Sequence, residues 1–394
     1  MSDFLDAEVI IAGAGIGGLT LAAILNRLGV SYMVLERTPD LHPVGAGISL
    51  APNALALLDQ LGLYSQLKSS SQKLRAINIW RNTTQWNSLD VTSAEERYGY
   101  PILSAERHAF HRLLYDAAGG DAREEYVRVI LEDGKEYHGK MCVGADGIRS
   151  AVRRALARKA GLDGANTIKF TGRVHFSGMT APLEHLGKEE TGVANWVLYD
   201  DAILTTWPCK DNRQWYIGVK KADSEVDKNR SVWGSITPED IKAVYGKGFH
   251  PFAEGSEFGS IVDKSERVVG SNVFQETDFP PAHSMTSFFG QGGCQAIEDA
   301  AVLGNLVSEH RHSLSSPQEL LSLYSKARET RVKELSRFSD TYALLHTARL
   351  PYGTGPILRW LIYTLLPGWA WVNWLGWLYQ YQPTVAALGM PLKE

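Results

Sequence analysis

Six residues near the start of the chain, Gly13-Ala14-Gly15-Ile16-Gly17-Gly18, constrain its fold more than any others. They follow the apolar run Val9-Ile10-Ile11-Ala12 and precede Leu19, Ala22, Ala23 and Leu28 at helical spacing, with Gly29 placed to stop the helix. Strand, glycine turn and helix in that order open a βαβ unit of the dinucleotide-binding kind. The first glycine, Gly13, allows the tight turn. The second, Gly15, lets the backbone approach a pyrophosphate, and the third, Gly18, allows close helix packing, while the helix N-terminus offers unpaired N–H groups to the anion. Ser31-Tyr32-Met33-Val34-Leu35 reads as a second buried parallel strand, and Glu36 at its end stands where a carboxylate accepts hydrogen bonds from an adenosine ribose. Because Glu36 would repel a 2′-phosphate, the nucleotide held here is FAD or NAD rather than NADP.

The rest of the chain sets bounds. Its 394 residues, 44% hydrophobic and 21% charged, are globular in composition and enough for two or three domains. A formal charge of −4 leaves no basic footprint, so nucleic acid is not expected as a partner. Cys142, Cys209 and Cys294 are too far apart for a disulfide framework or a zinc site, and the first eight residues lack the features of a secretory signal, so the expectation is an intracellular protein that is not secreted. His108 and His111 have no third ligand beside them; they read as a solvated helix face, and no metal is expected.

Periodicity predicts helices from Pro52 to Leu61, Glu106 to Ala118, Gln295 to about Val307 and Pro317 to about His346. It predicts a hairpin turning at Glu132-Asp133-Gly134, and then strands in four stretches between Lys169 and Lys221.

Three further stretches decide between FAD and NAD. Val143-Gly144-Ala145-Asp146-Gly147-Ile148-Arg149-Ser150 through Arg153 resembles the DGxxSxxR signature of the class A FAD-dependent monooxygenases, the aromatic hydroxylases and epoxidases. Gly290-Gln291-Gly292-Gly293 through Ala300, preceded by Ala282-His283, resembles that family's flavin-facing helix start. Gly45-Ala46-Gly47-Ile48 with Pro52-Asn53 is similar to its loop beside the isoalloxazine, and Arg107 matches its FAD-contacting arginine. Within the family, the stretch from Ala51 to Tyr64 and Glu96-Arg97-Tyr98-Gly99-Tyr100-Pro101 are most like the fungal epoxidases of terpenoid, meroterpenoid and indole-diterpene intermediates.

The resemblance implies an α/β fold: a Rossmann-type FAD-binding domain (residues 1–165 and 265–340), an inserted strand-rich substrate domain (166–264) and a hydrophobic helical C-terminus (341–394). It implies FAD bound through Gly13, Gly15, Gly18, Glu36, Gly47, Arg107, Asp146, Gly292 and Gly293, with NAD(P)H as co-substrate and Tyr199 as the active-site residue on the substrate sheet. The implied reaction is epoxidation or hydroxylation of a hydrophobic secondary metabolite by O₂ through a flavin C4a-hydroperoxide.

Two departures leave other readings open. Where the family has a strand ending in Gly-Asp before Ala-His, this chain reads Thr277-Asp278-Phe279-Pro280-Pro281, and Ala118 to Tyr126 is short by a strand. A truncated relative with impaired FAD binding is one alternative, and a related flavin-dependent reductase or halogenase the other. The uncharged, Trp-rich segment from Trp360 to Tyr379 is long enough to cross a bilayer, and the wider stretch 357–379 is a candidate for membrane association, by spanning or by lying at the interface.

Overall fold

The computed structural model describes residues 7–38, 41, 45–119, 135, 137–159, 161, 168–200, 202–211, 213–220, 233–234, 236–276, 290–311 and 317–389. The first unit is as the glycine motif requires. Strand β1 (Ala7–Ala12) leads through the glycine loop into helix α1 (Ile16–Leu28), which ends at Gly29 in the left-handed conformation, and β2 (Tyr32–Leu35) returns parallel to β1. Strands β3 (Gly47–Leu50), β4 (Gln72–Lys73) and β7 (Leu103–Glu106) form a small antiparallel sheet in the order β3-β7-β4. Helices α2 (Pro52–Gln60), α3 (Tyr64–Ser70), α4 (Ser93–Tyr98) and α5 (Arg107–Ala117) surround it. Strand β8 (Gly139–Gly144), followed by α6 (Ala151–Lys159), pairs with the other side of β1, so the parallel sheet runs β2-β1-β8. The chain thus crosses to opposite sides of β1, and the crevice at the carboxyl ends of β1 and β8 is the place where such sheets bind ligands.

The second sheet has eight strands in the order β13-β14-β9-β12-β11-β10-β5-β6. Its centre is β9 (Ile168–Thr180), β10 (Val193–Leu198), β11 (Ala202–Pro208) and β12 (Arg213–Lys220), the four strands that alternation predicts. It also takes β5 (Ala76–Arg81) and β6 (Thr84–Asp90) from before residue 166, and β14 (Ser265–Glu276), flanked by the short β13 (Trp233–Gly234). Neither the hairpin of β5 and β6 nor β14 is anticipated from the sequence. The alternation of polar and charged residues in SERVVGSNVFQE reads as a polar connection until its partner β9 is known. Val193, Val197, Leu204, Trp215 and Ile217 point to one face, where α7 (Pro238–Tyr245), α8 (Gly259–Asp263) and Phe258 bury them. Ala194, Trp196, Leu198 and Ile203 point to the other, into the main core.

Two long helices complete the chain's first unit: α9 (Gln291–Glu309) against α1 and α2, and α10 (Pro317–His346) against α9. They are joined by a charged network with almost no access to water. The Glu298 carboxylate is fully buried and accepts from Asn53 Nδ2 of α2 (2.6 Å), Gln295 Nε2 (2.8 Å), Arg328 Nη1 (2.7 Å) and both Nε and Nη2 of Arg331 (2.8 Å each). Arg328 also donates to Asp299 (2.6 Å) and to Gln295 Oε1 (2.8 Å), and Arg331 to the Leu378 carbonyl (3.0 Å). Two acids and two guanidiniums balance, which is the condition under which buried charge is tolerated.

The C-terminal segment differs from a single apolar span. It breaks into α11 (Gly355–Leu365), α12 (Gly368–Trp374) and α13 (Gly376–Tyr379), with Pro367 ending the first. No helix among the described residues is long and apolar enough to cross a membrane, which corrects the spanning expectation for Trp360 to Tyr379. Several of its aromatic rings instead turn inward: Trp371 and Tyr363 stack at 5.5 Å, and Tyr363 meets His346 and Tyr342 through its hydroxyl.

The network gives a direct expectation for stability. Arg328→Met leaves Asp299 and Glu298 short of a shared cation, and removing one member of such a buried set costs about 3–5 kcal/mol. Guanidinium denaturation should show a clearly lowered midpoint, and an unchanged midpoint would show that the charges merely coexist.

Candidate active site

The glycine loop is held by backbone bonds on both sides: the Gly13 N–H donates to the Leu35 carbonyl (2.7 Å) and the Ala145 N–H to the Ala12 carbonyl (2.7 Å). Gly13 has φ +108°, and a Cβ there would stand 2.5 Å from the Ala145 carbonyl oxygen; a Cβ on Gly18 would overlap the Gly13 carbonyl. These two are glycines because the backbone leaves no room. Gly15 differs, since a Cβ there would meet only the Ala145 oxygen, at 3.9 Å, so the space above it is open. Among the described residues no side chain caps the start of α1. Glu36 reaches back over the loop, its Oε2 accepting from the Ala14 N–H (2.9 Å) and its Oε1 from the Thr38 hydroxyl (2.7 Å) and N–H (3.1 Å). Burial opposes ionisation of Glu36, but these hydrogen bonds outweigh it and hold the carboxyl below its ordinary value.

Around this loop the other predicted residues assemble. The Arg107 N–H donates to the Ala46 carbonyl (3.0 Å), which places the start of α5 beside the Gly45–Gly47 turn. Burial pushes the Arg107 guanidinium downward, with no acid among the described residues offsetting it. Asp146 Oδ2 accepts from the Ala151 N–H (2.6 Å) at the start of α6, while its Oδ1 is buried with no partner among the described residues. Helix α9 begins against β3: a Cβ on Gly293 would lie 2.7 Å from Ile48 Cδ1, and Cys294 lies 3.6 Å from the Ser49 carbonyl. Among the described residues nothing lies within 4 Å of where a Gly292 side chain would go, and none caps α9 with its side chain. The second sheet docks on the same turn, with Gln214 packed where a Gly47 side chain would go and Arg267 donating to the Gly45 carbonyl (2.8 Å).

Nine of the expected residues therefore meet in one crevice, and Tyr199 does not join them. Its hydroxyl donates to the Phe249 carbonyl (3.0 Å), and its ring packs with the cluster under α7 and α8, on the sheet face turned away from Gln214. The phenol on the near face is Tyr216, whose hydroxyl lies 2.8 Å from His175 Nε2. Strand alternation marks it, because Tyr216 and Gln214 are two apart on β12. His111 also has a place that its sequence context hides. It is half-buried rather than solvated, and its Nε2–H donates to the Ala14 carbonyl (2.6 Å), so α5 grips the loop from behind. The match at Ala282-His283 and the positions Asp278 and Pro280 lie outside the described residues, as does the hairpin turn at 132–134.

These features fit FAD: an open glycine cradle, a carboxylate poised over it and, among the described residues, a guanidinium with no acid partner and two helix starts with no side-chain cap. Comparison with known proteins agrees. The family model described as "FAD binding domain" matches residues 6–339. An FAD-dependent monooxygenase of Aspergillus niger, pynG, is 47% identical, with 97% of this chain and 97% of the relative covered. That alignment runs over 421 positions, more than this chain has residues, so the relative carries segments that this chain lacks. A second FAD-dependent monooxygenase, pytG of Aspergillus terreus, is 52% identical over 63% of this chain and 80% of its own length. Among solved structures, Klebsiella pneumoniae HpxO complexed with FAD and uric acid superimposes with a TM-score of 0.79 at 19% identity, over 96% of this chain and 98% of that one. A family match through most of the chain, joined to end-to-end similarity with an oxygenase, makes the assignment: the chain belongs to the FAD-binding-domain family and is an FAD-dependent monooxygenase.

Proposed function

We propose that the protein consumes NAD(P)H and O₂ to epoxidise or hydroxylate a hydrophobic intermediate of fungal secondary metabolism. The observation that carries this reading is the meeting of the Gly13–Gly18 loop, Glu36, Arg107 and the start of α9 around one crevice that the second sheet overhangs at Gln214. In this reading Gly15 and the start of α1 receive the pyrophosphate, with Arg107 as its counter-charge. Glu36, kept ionised by its hydrogen bonds, accepts from the ribose hydroxyls. Gly47, Gly292 and Gly293 line the ring, and the N-terminal end of the 19-residue α9 stabilises negative charge arising there. Asp146 positions the β8–α6 turn against Gly13.

When bound, the flavin supplies hydride acceptance and O₂ activation. The chain's own residues position, shield and handle protons. Tyr216, held against His175, takes the proton-donor role expected of Tyr199, because it lies on the flavin-side face of the sheet.

Two measurements test the reading. Gly15→Val, whose side chain enters open space in the protein itself, should fold normally yet be purified colourless, with FAD affinity reduced by about a hundredfold or more; yellow variant protein would refute the cradle. With a turned-over substrate under ¹⁸O₂, one labelled oxygen atom should appear in the product. Unlabelled product would instead favour a reductase.

We also propose that α11 and α12 rest on a membrane interface without spanning it. Ile357 (64% exposed), Leu365 (66%), Trp369 (59%) and Trp374 (41%) stand out in solvent, and the single charge between residues 350 and 389, Arg359, is buried. Exposed tryptophan on an uncharged stretch of chain suits the headgroup region. The protein should sediment with phosphatidylcholine vesicles and lose that binding on double substitution Trp369→Glu, Trp374→Glu; equal sedimentation of both forms, or none of either, would remove the proposal.

A further inference from the structure

We propose that a row of five aromatic rings, Trp207, Trp196, Tyr363, Trp371 and Trp374, is an electron path from the flavin crevice to the protein surface. An oxidising equivalent that arises at the flavin leaves along it and ends on Trp374. The inference goes beyond the oxygenase reading and rests on it only for a flavin bound beside Gly47.

The row begins on the flavin-side face of the eight-stranded sheet. Trp207 of β11 stands directly opposite Gln214 of β12, the side chain packed where a Gly47 side chain would go. Opposed residues of antiparallel strands share a face, with Cβ atoms about 5 Å apart. Thr205, two before Trp207 and so on that same face, is opposite Trp196 of β10. From there the row leaves the sheet. Trp207 and Trp196 stack with centroids 6.4 Å apart and planes 13° apart. Trp196 meets Tyr363 of α11 at 6.5 Å, Tyr363 stacks on Trp371 of α12 at 5.5 Å, and Trp371 meets Trp374 at 5.3 Å. Every step lies within the range of ring contact. Tyr363 is fully buried and Trp371 nearly so, whereas Trp374 is 41% exposed, so the row has one outlet to water.

Indoles and phenols are among the side chains that most readily yield one electron, and tunnelling between rings in contact is fast because it decays steeply with the gap. Packing alone would be served as well by phenylalanine, yet the row holds only indoles and a phenol, while Phe338 lies beside it against Trp374. The light-excited oxidised flavin is a strong one-electron oxidant. It takes an electron from Trp207, and the vacancy is filled in turn from Trp196, Tyr363, Trp371 and Trp374. Tyr363 yields its electron only if its phenol proton moves, and His346 Nδ1 lies 2.5 Å from that hydroxyl. Burial, with the Arg359 cation, pushes the His346 imidazole down to about 3, so it is neutral and able to hold the proton until the electron is replaced. Trp374, in water, loses its indole proton to solvent and is restored by an external thiol. Two rounds draw two electrons from a dithiol, which becomes a disulfide; of its two protons one ends on the reduced flavin and one in solvent. The path thus permits light-driven reduction of the flavin without NAD(P)H, and without a thiol it directs oxidation to the surface, away from the crevice.

The test uses the FAD-loaded protein under blue light. Without oxygen and with dithiothreitol, the yellow flavin absorbance should bleach, and Trp196→Phe and Trp374→Phe should each slow the bleaching about tenfold. Trp374 is at the surface, so its replacement keeps the fold; an unchanged rate in either variant, or no bleaching of the wild type, would overturn the path. In air and without thiol, peptide mass spectrometry reads where O₂ has added to an indole. Trp374 should be oxidised ahead of Trp369, although Trp369 is the more exposed of the two (59% against 41%), and Trp196→Phe should abolish that order. Oxidation that follows exposure, with Trp369 first, would mean a diffusing oxidant and refute the path. Flavin absorbance before illumination separates the two claims: a colourless wild type would refute the cofactor cradle, whereas yellow protein whose oxidation follows exposure would refute the path alone.

Discussion

Glu298 is the point on which the arrangement turns. A carboxylate with no access to water is held by two guanidiniums and two amides drawn from α2, α9 and α10, and its loss of hydration is offset only while all of them stay in place. The consequence reaches the cofactor crevice through rigid geometry. Glu298 lies less than two turns from the start of α9, and Asn53 sits at the start of α2, just after β3. Fixing one helix against the other therefore fixes Gly292 and Gly293 against Gly47 and Ile48. Charge deep in the molecule does the aligning, and the surface facing the ligand is left to glycines and backbone.

That division of labour explains what was legible in the sequence. Glycine positions with steric necessity, Gly13 and Gly18, are readable because only one residue type satisfies them. Local periodicity gave α1, α2, α5, α9, α10 and the four central strands with small errors at their ends, since each has an apolar face of the right period. Strands β5 and β14 were hidden because their partners β10 and β9 lie 85 to 117 residues away, and β6, though its partner β5 is adjacent, because its own alternation is weak. The same limit applied within the site. Choosing between Tyr199 and Tyr216 requires knowing which sheet face looks toward Gly47, and a one-residue change of parity reverses the answer. His111 was misplaced for a related reason: the spacing of two histidines on a helix says nothing about the loop behind it.

The two sheets also divide the chemistry. The parallel one offers a crevice made of chain ends and N–H groups, suited to an anion of fixed shape. The eight-stranded one, mixed but mostly antiparallel, offers side chains from alternate positions of β9 and β12, which can vary without disturbing its opposite, Trp215-centred face. A common cofactor with differing substrates is the expected result of such a plan.

Strand β6 is the outer edge of that eight-stranded sheet, and a bare edge invites pairing with another chain. The C-terminal helices lie along it: Asn87 donates to the Leu366 carbonyl (3.1 Å), and Gly368 packs so tightly on the Asp90 backbone that no side chain could be accommodated. The tail thus serves as a guard against strand addition. A chain ending before Leu366 would keep every cofactor residue and yet present an adhesive border, so its defect would be self-association rather than lost chemistry.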